Sequence, residues 1–145
     1  MREVGTALVT IGVQSLDLVM RADSVREVLG ERAWIPIPGT RDEIPGVVVW
    51  GGRAVSLLDL ARFQQGLTRL RSAETRARMV IAVDSGCTLA IPADRVSEVW
   101  KTHDDNLRPR QLHDFELARL EVATDDTVLP LFEPDLLLAR LDVEV

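Results

Sequence analysis

One cysteine stands in 145 residues, Cys87, so no internal disulfide can staple the chain. Long hydrophobic runs are missing as well. The longest, at 47–50, 79–83 and 136–139, fall far short of the roughly 18–20 apolar residues that cross a bilayer as a helix. The opening MREVGTALVTIGV shows neither a basic leader nor a small-residue cleavage site. A cytoplasmic location without direct membrane insertion is the expectation. Basic charge is also short, with 17 Lys and Arg against 23 Asp and Glu and a net charge of −6. That balance opposes a role on nucleic acid, where affinity comes from clustered cations on phosphates.

The residue types of reactive chemistry are equally thin. Gly51-Gly52 lacks the strand-to-helix setting and the further glycines of a phosphate cradle, so it reads as a turn. His103 and His113, near Asp104, Asp105 and Asp114, lie ten residues apart and match no metal-ligand spacing. Cys87 reads as a small hydrophobe rather than a nucleophile. Asp23, Glu27, Asp94 and Glu98 read as exposed charges at helix starts, not as a catalytic quartet. No catalytic residue, cofactor or metal is expected.

Against these absences stand 46% hydrophobic and 28% charged residues, an ordinary globular composition for a single domain spanning 1–145. Alternating apolar residues at 4–13 and 16–20, around Gln14-Ser15, predict a hairpin. Residues 22–30 predict a short helix closed by Gly30. Residues 34–39 carry two prolines and must be extended. Two β-branched runs, 46–50 and 53–58, flank Gly51-Gly52 as a second hairpin, and Asp59 caps a short helix after it. Residues 62–78, with Arg62, Arg69, Arg71, Arg76 and Arg78 against Glu74, form an exposed connection. Hairpins follow at 79–91 about Ser85-Gly86 and at 117–132 about Asp125-Asp126, while 106–109 reads as loop. A helix over 133–141 ends the pattern, with Pro134 in its first turn.

The sequence echoes itself. Ala22-Asp23-Ser24-Val25-Arg26-Glu27-Val28-Leu29 recurs as Ala93-Asp94-Arg95-Val96-Ser97-Glu98-Val99-Trp100, with five of eight positions identical. Val55-Ser56-Leu57-Leu58-Asp59 is echoed by Leu129-Pro130-Leu131-Phe132-Glu133. Two copies of one β-module are implied, approximately 13–66 and 79–141, each too small to bury much apolar surface alone. A pair of small barrels with a shared core is the natural solution, since closure also removes open strand edges.

Six segments in order then resemble the CheW-like domain of bacterial chemotaxis coupling proteins: Val25-Arg26-Glu27-Val28, Ile35-Pro36-Ile37-Pro38, Ile44-Pro45-Gly46-Val47-Val48, Val55-Ser56-Leu57-Leu58-Asp59-Leu60, Ala93-Asp94-Arg95-Val96-Ser97-Glu98-Val99 and Leu107-Arg108-Pro109. The resemblance implies a mainly β fold of two intertwined, SH3-like five-stranded barrels that exchange strands, with short helices. It also implies a non-enzymatic adaptor that binds the regulatory domain of a CheA-type histidine kinase and the cytoplasmic tips of chemoreceptors, recruited to membrane receptor arrays. Carried over by position, Val25, Glu27, Gly30, Gly46, Gly52, Asp94, Val96 and Val99 match family positions of partner contact.

One departure stands out. Where the family commonly has Asn-Leu-Arg-Gly, this chain has Val49-Trp50-Gly51-Gly52, and Ser56 replaces a usual proline. An arginine's forked donor set has no equivalent in glycine, so its contact is lost, shifted to Arg53 or replaced by Trp50. The resemblance therefore points to a divergent member with one patch around Val25, Glu27, Gly51 and Arg53 and another around Val96, Glu98 and Val99, and Trp50, beside the glycine turn, is expected to be an exposed aromatic anchor. The alternative is a stand-alone localisation or competitor module that binds kinase or receptor without passing a signal. Gly46→Asp is expected to weaken binding and spare the fold.

Overall fold

The computed structural model describes residues 5–84 and 86–142. Its first pair of strands is the expected hairpin: β1 (Gly5–Val13) and β2 (Leu16–Arg21) run antiparallel from Leu8 opposite Arg21 to Val13 opposite Leu16. Both faces of this hairpin are buried. Val9, Ile11, Val13, Leu16, Leu18 and Met20 point one way, and Leu8 and Val19 point the other, each set into its own apolar cluster.

Residues 22–30 are not the expected helix. A single 3-10 turn, Ala22–Ser24, leads into strand β3 (Val25–Leu29), which ladders onto β7 (Arg78–Asp84). Two turns are too short to hold a helix alone, and β-branched Val25 and Val28 pair with Ala82 and Val80 in the buried middle of β7. The second copy behaves alike. Arg95–Val96 forms β9 and Trp100–His103 forms β10, both paired to β1. Glu27, Asp94 and Glu98 therefore do not sit at helix starts as expected: Glu27 is on β3, and Asp94 and Glu98 flank β9 and β10.

The remaining strands are β4 (Ile35–Pro36), β5 (Gly46–Trp50), β6 (Arg53–Leu57), β8 (Cys87–Ala93), β11 (Leu107–Pro109), β12 (Leu120–Ala123) and β13 (Val128–Leu131). Gly51 and Gly52, at φ +57° and +75°, supply the two left-handed positions that the β5–β6 turn requires. Leu107–Pro109, expected as loop, is a strand paired to β12, and Pro109 is tolerated there because β11 lies at a sheet edge. The short helix after Asp59 contracts to a 3-10 turn, Leu60–Arg62, capped where the Asp59 carboxylate accepts the Ala61 N–H at 3.1 Å. The one α-helix among the described residues is α1 (Pro134–Asp142), with Pro134 in the first turn as expected. Val4 and Ser85, assigned to the first strand and the third turn, lie outside the described residues.

These strands make two sheets. The first has the order β3-β7-β8-β6-β5-β4, and the second runs β10-β1-β2-β13-β12-β11, with β9 also on β1. The N-terminal hairpin β1–β2 thus sits among strands of the C-terminal half, while β7–β8 sits among strands of the N-terminal half. Each swapped hairpin joins its host through a parallel pairing, β6 with β8 and β13 with β2. The mainly β architecture of two interwoven, curled sheets is the fold expected from the family resemblance.

Three apolar clusters hold it. Val48, Val55, Leu57, Met79, Ile81, Ala90 and Trp34 fill the first sheet's curl. Leu8, Val19, Val122 and Leu131 fill the second. The largest cluster lies between them, where the outward faces of β1, β2, β7 and β8 meet Phe63, Phe115 and Phe132. Since hydrophobic stabilisation follows buried apolar area, neither half retains its core without the other.

Candidate partner-binding surfaces

Glu27 on β3 and Trp50 on β5 come together although their strands are not laddered to each other. The Trp50 indole N–H donates to Glu27 Oε1 at 3.2 Å, which requires the first sheet to curl until β3 approaches β5. Trp50 is half-buried, its ring packed on the first sheet's apolar cluster. The Arg53 guanidinium lies 5.9 Å from the Trp50 ring centroid, within cation–π reach. Three of the sequence-predicted residues, Glu27, Trp50 and Arg53, are therefore one cluster at the accessible end of this sheet. Gly51 and Gly52 stand in the open turn between them, with nothing within 4 Å of a Cβ added at either.

Beside this cluster the outer face of β4 and β5 is apolar and uncovered. Ile35 is 52% exposed and Val49 52% exposed, with Ile37 and Val28 also open. Sequence reasoning missed Ile35 and Ile37 as surface residues. An apolar run beside prolines looks like core until its single ladder partner is known.

The second sheet shows what covers the same face there. Ile35 pairs with Val47 in the first sheet, and Arg108 pairs with Glu121 at the corresponding place in the second. Glu121 is fully buried. Its carboxylate accepts Arg108 Nε at 2.8 Å and the backbone N–H groups of Gln111 at 2.8 Å and Leu112 at 2.9 Å, with His113 N–H at 3.4 Å. Burial alone would raise its pKa, but these donors outweigh burial and hold it at about 2. The chain's own 111–113 segment thus closes the second sheet's face through a buried charge. The first sheet has Ile35 and Val47 there, and among the described residues no such buried charge covers them. Only an acid in an otherwise apolar strand, Glu121, signalled this in the sequence.

Other predicted residues fall in varied settings. Gly46 is buried, and a Cβ there would collide with the Ile35 carbonyl oxygen and stand 2.7 Å from the Trp34 ring. The expectation that Gly46→Asp spares the fold is therefore corrected: a side chain there acts on folding first. Val25 packs on the central cluster, while Gly30 is open. In the second copy Val96 packs on the central cluster, Glu98 is exposed and Val99 is 62% exposed. Asp94 faces inward to its own chain, accepting the Gln14 N–H at 2.6 Å and Arg76 at 3.2 Å. Burial would raise its pKa, but the Gln14 N–H and Arg76 lower it on balance.

Cys87 is half-buried, and its thiol pKa is raised by burial and then by Asp84, the opposite of an activated nucleophile. His103 Nδ1 lies 3.3 Å from Asp105. The His113 ring is engaged at both nitrogens, by Phe115 N–H at Nδ1 and Leu120 O at Nε2. Among the described residues no helix is long and apolar enough to cross a membrane.

A family model described as the CheW-like domain matches residues 7–142. Among solved structures the chain is similar to the scaffolding protein TtCheW from Thermoanaerobacter tengcongensis, at 20% sequence identity and a TM-score of 0.75, covering 90% of each chain. At that identity the likeness is one of fold. No curated protein sequence matches the chain.

Proposed function

The chain belongs to the CheW-like domain family, and on that premise we propose that it is a non-enzymatic adaptor linking chemoreceptor tips to a CheA-type histidine kinase through protein–protein contacts. The observation that supports this most is the uncovered apolar face of β4 and β5, rimmed by the Glu27–Trp50–Arg53 cluster. Aromatic and arginine anchors beside exposed apolar groups are what protein interfaces use. A second contact zone, at Glu98 and Val99, belongs to the other sheet. A body with its core continuous through both sheets holds two such zones in fixed relation, as an adaptor needs. The site of action is the cytoplasm, at membrane receptor arrays.

Gly51, standing where the family commonly has arginine, favours a second reading: a competitor module that occupies kinase or receptor sites without transmitting. Reconstitution separates the two. Added to kinase and receptor-bearing membranes, a coupler raises the receptor-controlled kinase response, and a competitor blunts the response already given by a general coupling protein.

A further inference from the structure

Every polar group of Gln14 is taken by a residue far away in sequence. Its N–H donates to Asp94 Oδ2 at 2.6 Å and its C=O accepts from Arg95 at 2.8 Å. Its side-chain oxygen accepts the Thr68 N–H at 2.8 Å, and its side-chain nitrogen donates to the Thr68 carbonyl at 2.7 Å. This residue sits in the β1–β2 turn at φ +54°, a left-handed conformation in which glycine would be unstrained. It is therefore a poor choice for a turn and a good one for holding three segments together.

The segment it holds, residues 64–77, has no ladder of its own. Besides Gln14 it is fastened by scattered side-chain bonds: Leu70 N–H to Asp59 Oδ2 at 3.0 Å, the Trp34 indole N–H to Glu74 O at 2.6 Å, Thr75 to Glu31 at 2.6 Å, and Arg76 to Asp94. Ala73 within it is also left-handed, at φ +64°. Its own Leu67 packs on the central cluster and its Leu70 on the first sheet's cluster.

We propose that residues 64–77 are a strap that opens as one unit with Gln14 as its latch, lifting Leu67 and Leu70 off the apolar clusters they cover at the junction of the two sheets. Segments held by isolated side-chain bonds open at lower free energy than laddered strands, and as cooperative groups. The strap spans both sheets: Gln14 belongs to a turn of the second, Trp34 and Asp59 flank strands of the first, and Asp94 stands between β8 of the first and β9 of the second. Its release therefore changes how firmly one sheet is tied to the other, whatever binds to either.

Native-state hydrogen exchange on the whole chain tests this, comparing the natural protein with Gln14→Gly and Gln14→Ala. Were Gln14 only a turn residue, Gln14→Gly would relieve strain and leave the strap amides unchanged or slower. The latch predicts that Thr68 and Leu70 amides exchange about tenfold faster or more in Gln14→Gly, with Glu74 following them and the β7 and β8 amides unchanged. Acceleration confined to Thr68, whose own acceptor is the Gln14 side chain, unchanged Leu70 and Glu74 rates in both variants, or equal acceleration of strap and β7–β8 amides would overturn the proposal. Gln14→Gly keeps the experiment decisive even where Gln14→Ala fails to fold.

Discussion

Trp50 donates its indole N–H to Glu27 across the seam between β5 and β3, two strands with no backbone ladder between them. Placed beside Gly51, with Arg53 over its ring, the tryptophan fills the setting in which the family resemblance leads one to expect an arginine. The aromatic face and the neighbouring guanidinium together offer an apolar surface and a cation, the two things an arginine side chain combines in one group.

Trp50→Phe keeps the ring and loses the N–H, so its stability is expected to fall by about 0.5–1.5 kcal/mol. Trp50→Ala also loses the packing and is expected to cost about 2–3 kcal/mol. Arg53→Ala is expected to leave stability within about 0.5 kcal/mol and to weaken kinase binding by more than about 1 kcal/mol. Urea unfolding and titration calorimetry on the same three variants check the separation.

Gly46→Ala is expected to destabilise the domain by about 1–3 kcal/mol, because its new methyl meets the Ile35 backbone and the Trp34 ring. Gly46→Asp adds a buried carboxylate and is expected to fold poorly. Thermal melts of the two would show it, and a melting point equal to the natural chain's would show that β4 can move aside.

The hairpins were readable in the sequence because Gly51-Gly52 and Gln14-Ser15 mark turns between apolar runs, and such turns fix local pairing. Residues 22–29 and 107–109 were not, because whether Val25 or Leu107 joins a strand depends on β7 and β12, many residues away in sequence. Glu27 and Trp50 were each picked out as contact candidates, yet their bond could not be foreseen, since it arises only from the curl of a whole sheet. Gln14 passed as turn material. Its hydrogen bonds run to Asp94 and Thr68, and no local pattern marks them.

Acid should unfasten the second sheet's cover. Glu121 titrates at about 2 in the fold against an ordinary 4.5, so the stability it contributes is full above about pH 4.5 and is lost as pH falls towards 2. Glu121→Gln removes the charge paired with the partly exposed Arg108, and losing this charge-assisted hydrogen bond is expected to cost about 1.5–3 kcal/mol. A pH series of urea midpoints is expected to show the natural protein's steep decline below pH 4.5 flattened in the variant.

His113 adds a second slope at milder pH. Burial, with Arg110 adding to it, lowers its pKa below 6.5 against the opposing pull of the Leu120 carbonyl, Glu121 and Asp114. The fold therefore prefers the neutral ring, and stability is expected to decline as pH falls through 6.5 and the unfolded chain takes up the proton. His113→Gln is expected to remove that part of the pH dependence while leaving the part due to Glu121.

The adaptor reading is tested most directly by titrating the regulatory domain of a CheA-type kinase with the natural chain and with Arg53→Glu, alongside thermal melts of both. The account predicts binding by the natural chain, at least about tenfold weaker binding by Arg53→Glu, and superimposable melts. Equal affinity for the two chains, with both folded, would contradict the assignment of this face as the partner surface.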